Sequence, residues 1–310
     1  MENGDSASCP QGGSMKYIEK HPMIMIVVGL IGISMSSILV KYSTAPSAIT
    51  AAWRLLWTVL LMTPVVLGKG TVRNELFHIS RKTLLLSGIS GVFLAVHFVL
   101  WFESLQHTSV ASSTTIVCTE VIWVSLGYCL FLKGKLSGRA LAAIAVTFIG
   151  STVIASSDSS QGGAQLYGDI LALLAAIAVA AYTLIGRIVR KDTSTTVYTY
   201  LVYGACAGVL LLLCCLMGES LTGYGVGAVI VGFLLAVVST LLGHSIFSWC
   251  LKYFSPSFVS ASKLCEPVAA AVLAGILFGE VPGILQVVGG VLIIAGVYFY
   301  SRIEREEQAE

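Results

Sequence analysis

Apolar residues in this chain neither alternate nor recur on one face; they come in runs of about twenty, interrupted by short polar breaks. A helix rises about 1.5 Å per residue, so about 20 mostly apolar residues cross the hydrocarbon core of a bilayer. Ten segments meet that length, at roughly 23–42, 47–67, 83–105, 109–132, 138–156, 169–190, 195–217, 226–251, 257–279 and 283–302. Most linkers are very short, so successive helices run antiparallel, and no linker could hold a soluble domain. Residues 1–22 read as a polar, Gly/Ser-rich and disordered tail, and 303–310 as a charged tail. No small-residue cleavage site follows the first apolar run, which reads as a spanning helix and not as a removed signal.

The basic residues orient these helices. With the N-terminus placed in the cytoplasm, fifteen of the 18 Lys and Arg fall on the inside. They group at Lys16 and Lys20; Lys69, Arg73, Arg81 and Lys82; Lys133, Lys135 and Arg139; Arg187, Arg190 and Lys191; Lys252; and Arg302 and Arg305. Lys41 lies near the outside, and Arg54 and Lys263 lie within helices. Positive residues favour the cytoplasmic side, so both termini are expected there, and an odd number of helices would break the alternation.

Composition agrees with a bilayer as solvent. Apolar residues make up 56% of the 310 and charged ones 11%, against about 25% charged in an ordinary soluble domain. A net charge of +2, dispersed along the chain, excludes nucleic acid as a partner. Of eight cysteines, Cys9 lies in the tail and the rest in apolar runs, with no C-x-x-C pair and no Cys/His cluster at metal spacing. No disulfide, metal or cofactor is expected.

The two halves of the chain echo each other. His97-Phe-Val-Leu-Trp101, Leu105, Ser109, Ser112, Glu120 and Leu132-Lys-Gly-Lys135-Leu-Ser-Gly138 align with His244-Ser-Ile-Phe-Ser-Trp249, Tyr253, Ser257, Ser260, Glu266 and Phe278-Gly-Glu280-Val-Pro-Gly283. Helices 3–4 thus correspond to helices 8–9. Five helices per half is an odd number, so residues 23–156 and 169–302 form an inverted 5+5 repeat. Lys135 inside and the matching Glu280 outside fit that inversion. Transporters built this way hold substrate near the midplane, between the halves.

The run Leu264-Cys-Glu266-Pro267, followed by Gly275, Phe278-Gly-Glu280, Gly289-Gly290 and Gly296-Val297, resembles the C-terminal signature of the EamA family of the drug/metabolite transporter superfamily. Trp53-Arg54, Trp101 and Ser109 fit the same pattern, and the resemblance spans about 23–302. It implies a ten-helix, all-α transporter of amino acids, amines or other metabolites. The family's first half usually carries a proline in helix 4 and a glutamate at that helix's end; here stand Thr119-Glu120-Val-Ile122 and Lys135.

Ionisable groups inside spanning helices are costly and are the first functional candidates. Glu120, mid-helix, shares a helical face with Ser109, Ser113, Ile116 or Val117, and Trp123. That stripe suits a protonatable site or a ligand for a cationic amine, or else a structural acid paired with a base such as Arg54. Lys263 and Glu266, three residues apart, form either a structural ion pair or a clamp for a substrate carboxylate. Pro267 frees a backbone carbonyl near residue 263, for substrate or merely as a packing kink. His97 and His244 are proton relays or hydrogen-bonded core. Trp101 and Trp249 flank a substrate or pack helix ends. Arg54 pairs with an acid, anchors packing or touches substrate. Tyr198, Tyr200 and Tyr203 read as an interfacial belt; Gly275, Gly279 and Gly283 read as a close helix contact within a monomer or across a homodimer. Glu103 and Asp169 read as solvated helix ends.

Together these features describe a multi-pass cell-membrane transporter of a small polar metabolite, an amino acid or amine above all, working by alternating access with protons as the candidate coupling ion. A passive facilitator or a sensor is the alternative. An intramembrane enzyme lacks support, since neither G-x-S-x-G nor H-E-x-x-H occurs. In a cysteine-free background, Ser159→Cys is expected to react with a membrane-impermeant maleimide on intact cells and Thr71→Cys to stay unlabelled; labelling of the second would reverse the orientation.

Overall fold

The computed structural model describes residues 22–108, 110–158, 166–266, 268–269 and 283–309. The tail 1–21, Ser109, Ser159, Pro267, Gly275, Gly279 and Glu280 lie outside the described residues. Among the described residues the chain is helical and contains no strand. The helices are α1 (Pro22–Lys41), α2 (Ser47–Gly68), α3 (Gly70–Phe77), α4 (Arg81–His107), α5 (Val110–Val117), α6 (Glu120–Leu132), α7 (Gly138–Asp158), α8 (Leu166–Val189), α9 (Thr195–Leu216), α10 (Gly225–Leu234), α11 (Ser245–Cys250), α12 (Pro256–Lys263) and α13 (Ile284–Ala309). A π-helical stretch, Leu235–His244, joins α10 to α11.

Seven helical stretches are long and apolar enough to cross a membrane: Pro22–Lys41, Ser47–Gly68, Arg81–His107, Ser113–Leu132, Leu166–Val189, Thr195–Leu216 and Gly225–Cys250. Two shorter apolar stretches, Gly138–Gly150 and Val287–Ile303, fall where the fifth and tenth segments were expected. The ninth expected segment is described only as far as residue 269. Two features depart from the sequence reading. The linker after α2 folds into the short helix α3, and α13 carries the helix through the charged tail to Ala309.

Polarity is arranged inside-out. Phe131 is 79% exposed and Leu216 77%, whereas Arg54 is fully buried and Glu120, His97 and Lys263 are nearly so. In water this arrangement would expose apolar surface and desolvate charge at once; in lipid both choices are favourable. Hydroxyls inside the helices return their hydrogen bonds to the preceding turn, as in Thr58 to the Arg54 carbonyl at 2.8 Å and Thr147 to the Ala143 carbonyl at 2.7 Å. Helices that begin in polar linkers are capped by serine. Ser80, Ser194 and Ser255 accept from the backbone N–H three residues on.

Two apolar clusters organise the packing. One gathers α2, α4, α8 and α9 with the ends of α1 and α10, around Ile49, Leu55, Phe98, Phe102, Tyr203 and Leu210. The other gathers α6, α7, α11, α12 and α13 with the start of α1, around Val121, Ile144, Phe247, Phe258 and Tyr300. Helix α1 bridges them by lying against the π-helical stretch. The contact there is backbone to backbone: a Cβ on Gly32 would stand 2.8 Å from the carbonyl oxygens of both Leu242 and Val238.

Gly32→Leu is therefore expected to overpack this contact at a cost of about 1–3 kcal/mol. Gly88→Leu, at a position with nothing within 4 Å of a Cβ, should cost little. Thermal unfolding of both variants in detergent, followed by tryptophan fluorescence, distinguishes them; equal melting temperatures would refute close packing at Gly32.

Candidate functional site

The expected continuous helix over 109–132 is broken. Between α5 and α6, Cys118 and Thr119 form a turn in which Thr119 N–H donates to the Ile116 carbonyl (3.0 Å) and Ile122 N–H to that of Thr119 (2.9 Å). The bonds shorten locally from four residues to three, the 3₁₀ pattern. The second half does the same after α12, where Leu264 N–H donates to the Ala261 carbonyl (3.1 Å) and Cys265 N–H to that of Ser262 (3.2 Å). The sequence alignment of the halves puts Cys118-Thr119-Glu120 opposite Leu264-Cys265-Glu266. The first break occurs without a proline, so proline is not a requirement for it.

These breaks place three ionisable groups together. The Lys263 ammonium donates to Glu120 Oε1 at 2.8 Å, with side chains only 10% and 4% exposed. Lys263 Nζ also lies 5.5 Å from the centre of the Phe247 ring. This corrects two expectations: Lys263 reaches across to Glu120 and not to its helical neighbour Glu266, and Arg54 is not the partner of Glu120. Glu266 Oε1 is buried and has no hydrogen-bond partner among the described residues. Cys118 is buried at the first break.

A second group lies on the side of α2, α4 and α8. His97 Nδ1 donates to the Ala175 carbonyl at 3.0 Å, which fixes its tautomer. Its ring lies nearly parallel to Trp101, with centroids 5.8 Å apart, and 6.4 Å from the His244 ring. The two sequence-matched histidines thus meet. His244 also stands edge-on to Phe98 at 5.3 Å. Arg54 donates from Nε to Thr240 Oγ1 (2.7 Å) and from Nη1 to Ser36 Oγ (3.2 Å), and its guanidinium stacks 4.1 Å above Phe98. Among the described residues no carboxylate pairs with it. Arg54 therefore ties α2 to α1 and to the π-helical stretch.

Other expected residues separate from this centre. Ser113 is buried and hydrogen-bonded to Ser104 Oγ at 2.5 Å. Trp123 is half-buried on α6, its Nε1 without a partner among the described residues. Trp249, the counterpart of Trp101, instead lies against Tyr253 (centroids 4.3 Å) and lines a polar pocket of about 480 Å³ with Glu75, Arg190 and Lys252. There Glu75 Oε1 accepts from the Ser194 N–H at 2.6 Å, joining α3 to the start of α9. Asp169 accepts from the Thr108 hydroxyl at 2.9 Å, which joins α8 to the end of α4, and Glu103 pairs with His107.

Two tyrosines expected at the membrane interface are core residues. Tyr198 and Tyr203 are fully buried, and their hydroxyls meet Ser90 Oγ (2.8 Å) and Ser245 Oγ (3.0 Å). Buried hydroxyls need such partners, which serines on facing helices supply. Tyr182, which the sequence did not single out, bonds Ser248 Oγ at 2.7 Å and lies 6.4 Å from His244. Its polar atom inside an otherwise apolar run was the available signal.

Comparison with known proteins agrees with this architecture. The family described as EamA-like transporter family matches residues 21–156 and again 166–302. The uncharacterized transporter YxxF of Bacillus subtilis (strain 168) is 26% identical over 299 residues, covering 96% of this chain and 92% of that one. A probable amino-acid metabolite efflux pump of Salmonella typhimurium is 25% identical over 74% of this chain and 82% of its own. The pseudopaline exporter CntI of Pseudomonas aeruginosa is 23% identical over 73% of this chain and 78% of its own. A solved crystal structure superposes with a TM-score of 0.74 at 16% identity, over 93% of this chain and 98% of that one, and speaks to the fold alone. The family is thus matched twice along one chain that buries Arg54, Glu120 and Lys263 while exposing many large apolar side chains: the protein belongs to the EamA-like transporter family, as a multi-span membrane transporter and not an enzyme.

Proposed function

We propose that this protein is a secondary transporter that moves an amino acid or amine out of the cell by alternating access, with protons as the coupling ion. In this reading ten helices form two five-helix units, 23–156 and 169–302, of opposite topology, with both termini cytoplasmic. The clustering of Lys and Arg on alternate linkers supports that orientation.

The observation that carries the proposal is the Lys263–Glu120 pair, which joins the broken helix of one half to that of the other. Ionisable groups at membrane depth mark substrate or proton pathways. A substrate ammonium or a proton competes with Lys263 for Glu120, and a substrate carboxylate competes with Glu120 for Lys263. Loading the site therefore loosens a bond between the halves, which is the differential interaction that a change of state requires. Phe247 supplies aromatic surface beside these charges, and Trp101, His97 and His244 form an aromatic group of their own. The Salmonella and Pseudomonas relatives, named as a probable amino-acid metabolite efflux pump and a pseudopaline exporter, support both the substrate class and the direction.

Reconstituted wild type and Glu120→Gln, adsorbed on a solid-supported membrane, test the proposal against amino acids, amines and small organic acids at two pH values. A current for an amino acid or amine in the wild type, reduced at least about tenfold in the variant, is expected for a residue that binds substrate or proton. Currents unchanged in folded Glu120→Gln would remove Glu120 from the transport site.

A further inference from the structure

Glu120 and Glu266 occupy matching positions in the two halves, each just past a 3₁₀ turn, yet among the described residues only Glu120 holds a base. The residue three before Glu266 is Lys263; the residue three before Glu120 is Val117. The site therefore contains two equivalent acids and a single lysine between them. Lys263 meets Glu120 at 2.8 Å and stands three residues before Glu266, so the lysine has both acids as neighbours. Side chains three apart across a 3₁₀ turn eclipse each other, and lysine carries its charge on a flexible four-carbon stem. Lys263 can reach Glu266 by changing rotamers while its own helix stays in place. The buried Oε1 of Glu266, without a partner among the described residues, is the acceptor such a move would satisfy.

We infer that Lys263 is a shared counter-ion that exchanges between Glu120 and Glu266, so that the two acids take turns being unpaired. This rests on the transporter reading above and names the element that switches within its site. With Lys263 on Glu120, the ion pair ties the two halves together and Glu266 is vacant. With Lys263 on Glu266, the pair spans a single 3₁₀ turn of one half, the tie between the halves is broken, and Glu120 is vacant. One side-chain movement thus alters both the link between the halves and the identity of the open acid. Glu266 acts here as a positioning residue: its role is to receive the lysine.

Dicyclohexylcarbodiimide reports the exchange without any need for transport, because it adds to buried carboxyls that lack a counter-ion and spares those held in an ion pair. The N-acylurea product is located by peptide mass spectrometry on protein reconstituted in liposomes. In the wild type both acids are expected to be labelled, Glu266 faster. Glu120→Gln should abolish labelling of Glu266, since Lys263 then stays on it. Glu266→Gln should abolish labelling of Glu120, and Lys263→Met should accelerate both. Labelling of Glu266 that persists in Glu120→Gln, or a Glu120 never labelled in the wild type, would establish a fixed pair and overturn the inference.

Melting temperatures give a second readout. Glu120→Gln should lose less than half of what Glu120→Gln/Glu266→Gln loses, because only the double variant strands the lysine. Equal losses would again mean a fixed pair. Failure of the reciprocal labelling leaves the transporter reading intact, whereas absent currents with reciprocal labelling preserved would sink the transporter reading alone.

Discussion

An ammonium and a carboxylate 2.8 Å apart, both almost shielded from solvent, survive at membrane depth because each cancels the other's desolvation. Removing one partner from such a pair, with nothing to replace it, costs about 3–5 kcal/mol. Lys263 and Glu120 sit on helices far apart in sequence, so satisfying them fixes where α12 lies relative to α6. The remaining polar interior follows the same rule with different currency. Arg54 is met by Thr240, Ser36 and the face of Phe98, and His97 by the Ala175 carbonyl. None of these contacts adds much stability by itself; each removes a penalty that the surrounding apolar shell would otherwise impose.

The irregular backbone sits where that interior is. The turns at Cys118–Thr119 and Leu264–Cys265 adjoin the ion pair, and the π-helical stretch ends at His244. Lipid tolerates no unpaired backbone groups, so non-helical geometry is confined to places where protein surrounds it. The π-helical stretch illustrates the compensation. Thr240 donates its hydroxyl to the Leu235 carbonyl and accepts from Arg54, while Ser245 donates to the Thr240 carbonyl. Gly32 lets α1 press against the same backbone. Regular helices thus form the lipid-facing shell and also turn Arg54, His97 and Trp101 inward, while the irregular stretches adjoin Glu120, Lys263 and His244.

The shell was legible in the sequence because its cause is one-dimensional: about 20 apolar residues suffice for a span, and the segments at 23–42, 47–67 and 195–217 differ from the helices by a residue or so at each end. The inner site was legible only by residue type. Glu120, Lys263, Glu266, His97 and Arg54 stood out because charge inside an apolar run is expensive. Their pairing did not, since spacing on one helix favours Lys263 with Glu266, whereas the bond to Glu120 depends on how two distant helices cross. The helix breaks were hidden for a related reason. Thr119 carries no strong breaking signal, and the π-helical stretch, Val-Val-Ser-Thr-Leu-Leu at its centre, reads as ordinary spanning helix. Tyr198 and Tyr203 were misread because an aromatic near a helix end looks interfacial until the serines opposite are known.

The asymmetry of charge within matched halves bears directly on how a transport cycle would run. Two acids without a base would repel each other, and an empty carrier would have to move an uncompensated charge through the low-dielectric interior. Two acids with two bases would neutralise fully and leave nothing for a ligand to win. One lysine exchanging between two acids would avoid both extremes: one acid would be satisfied while the other is open. A ligand would then shift the balance only by its preference for one of two nearly equivalent acids, so the switching free energy would stay small. Matched helix breaks make the two acids equivalent in backbone, and the unmatched Lys263 makes them unequal in charge. That combination, more than any single residue, is what the folded chain adds to a stack of apolar helices.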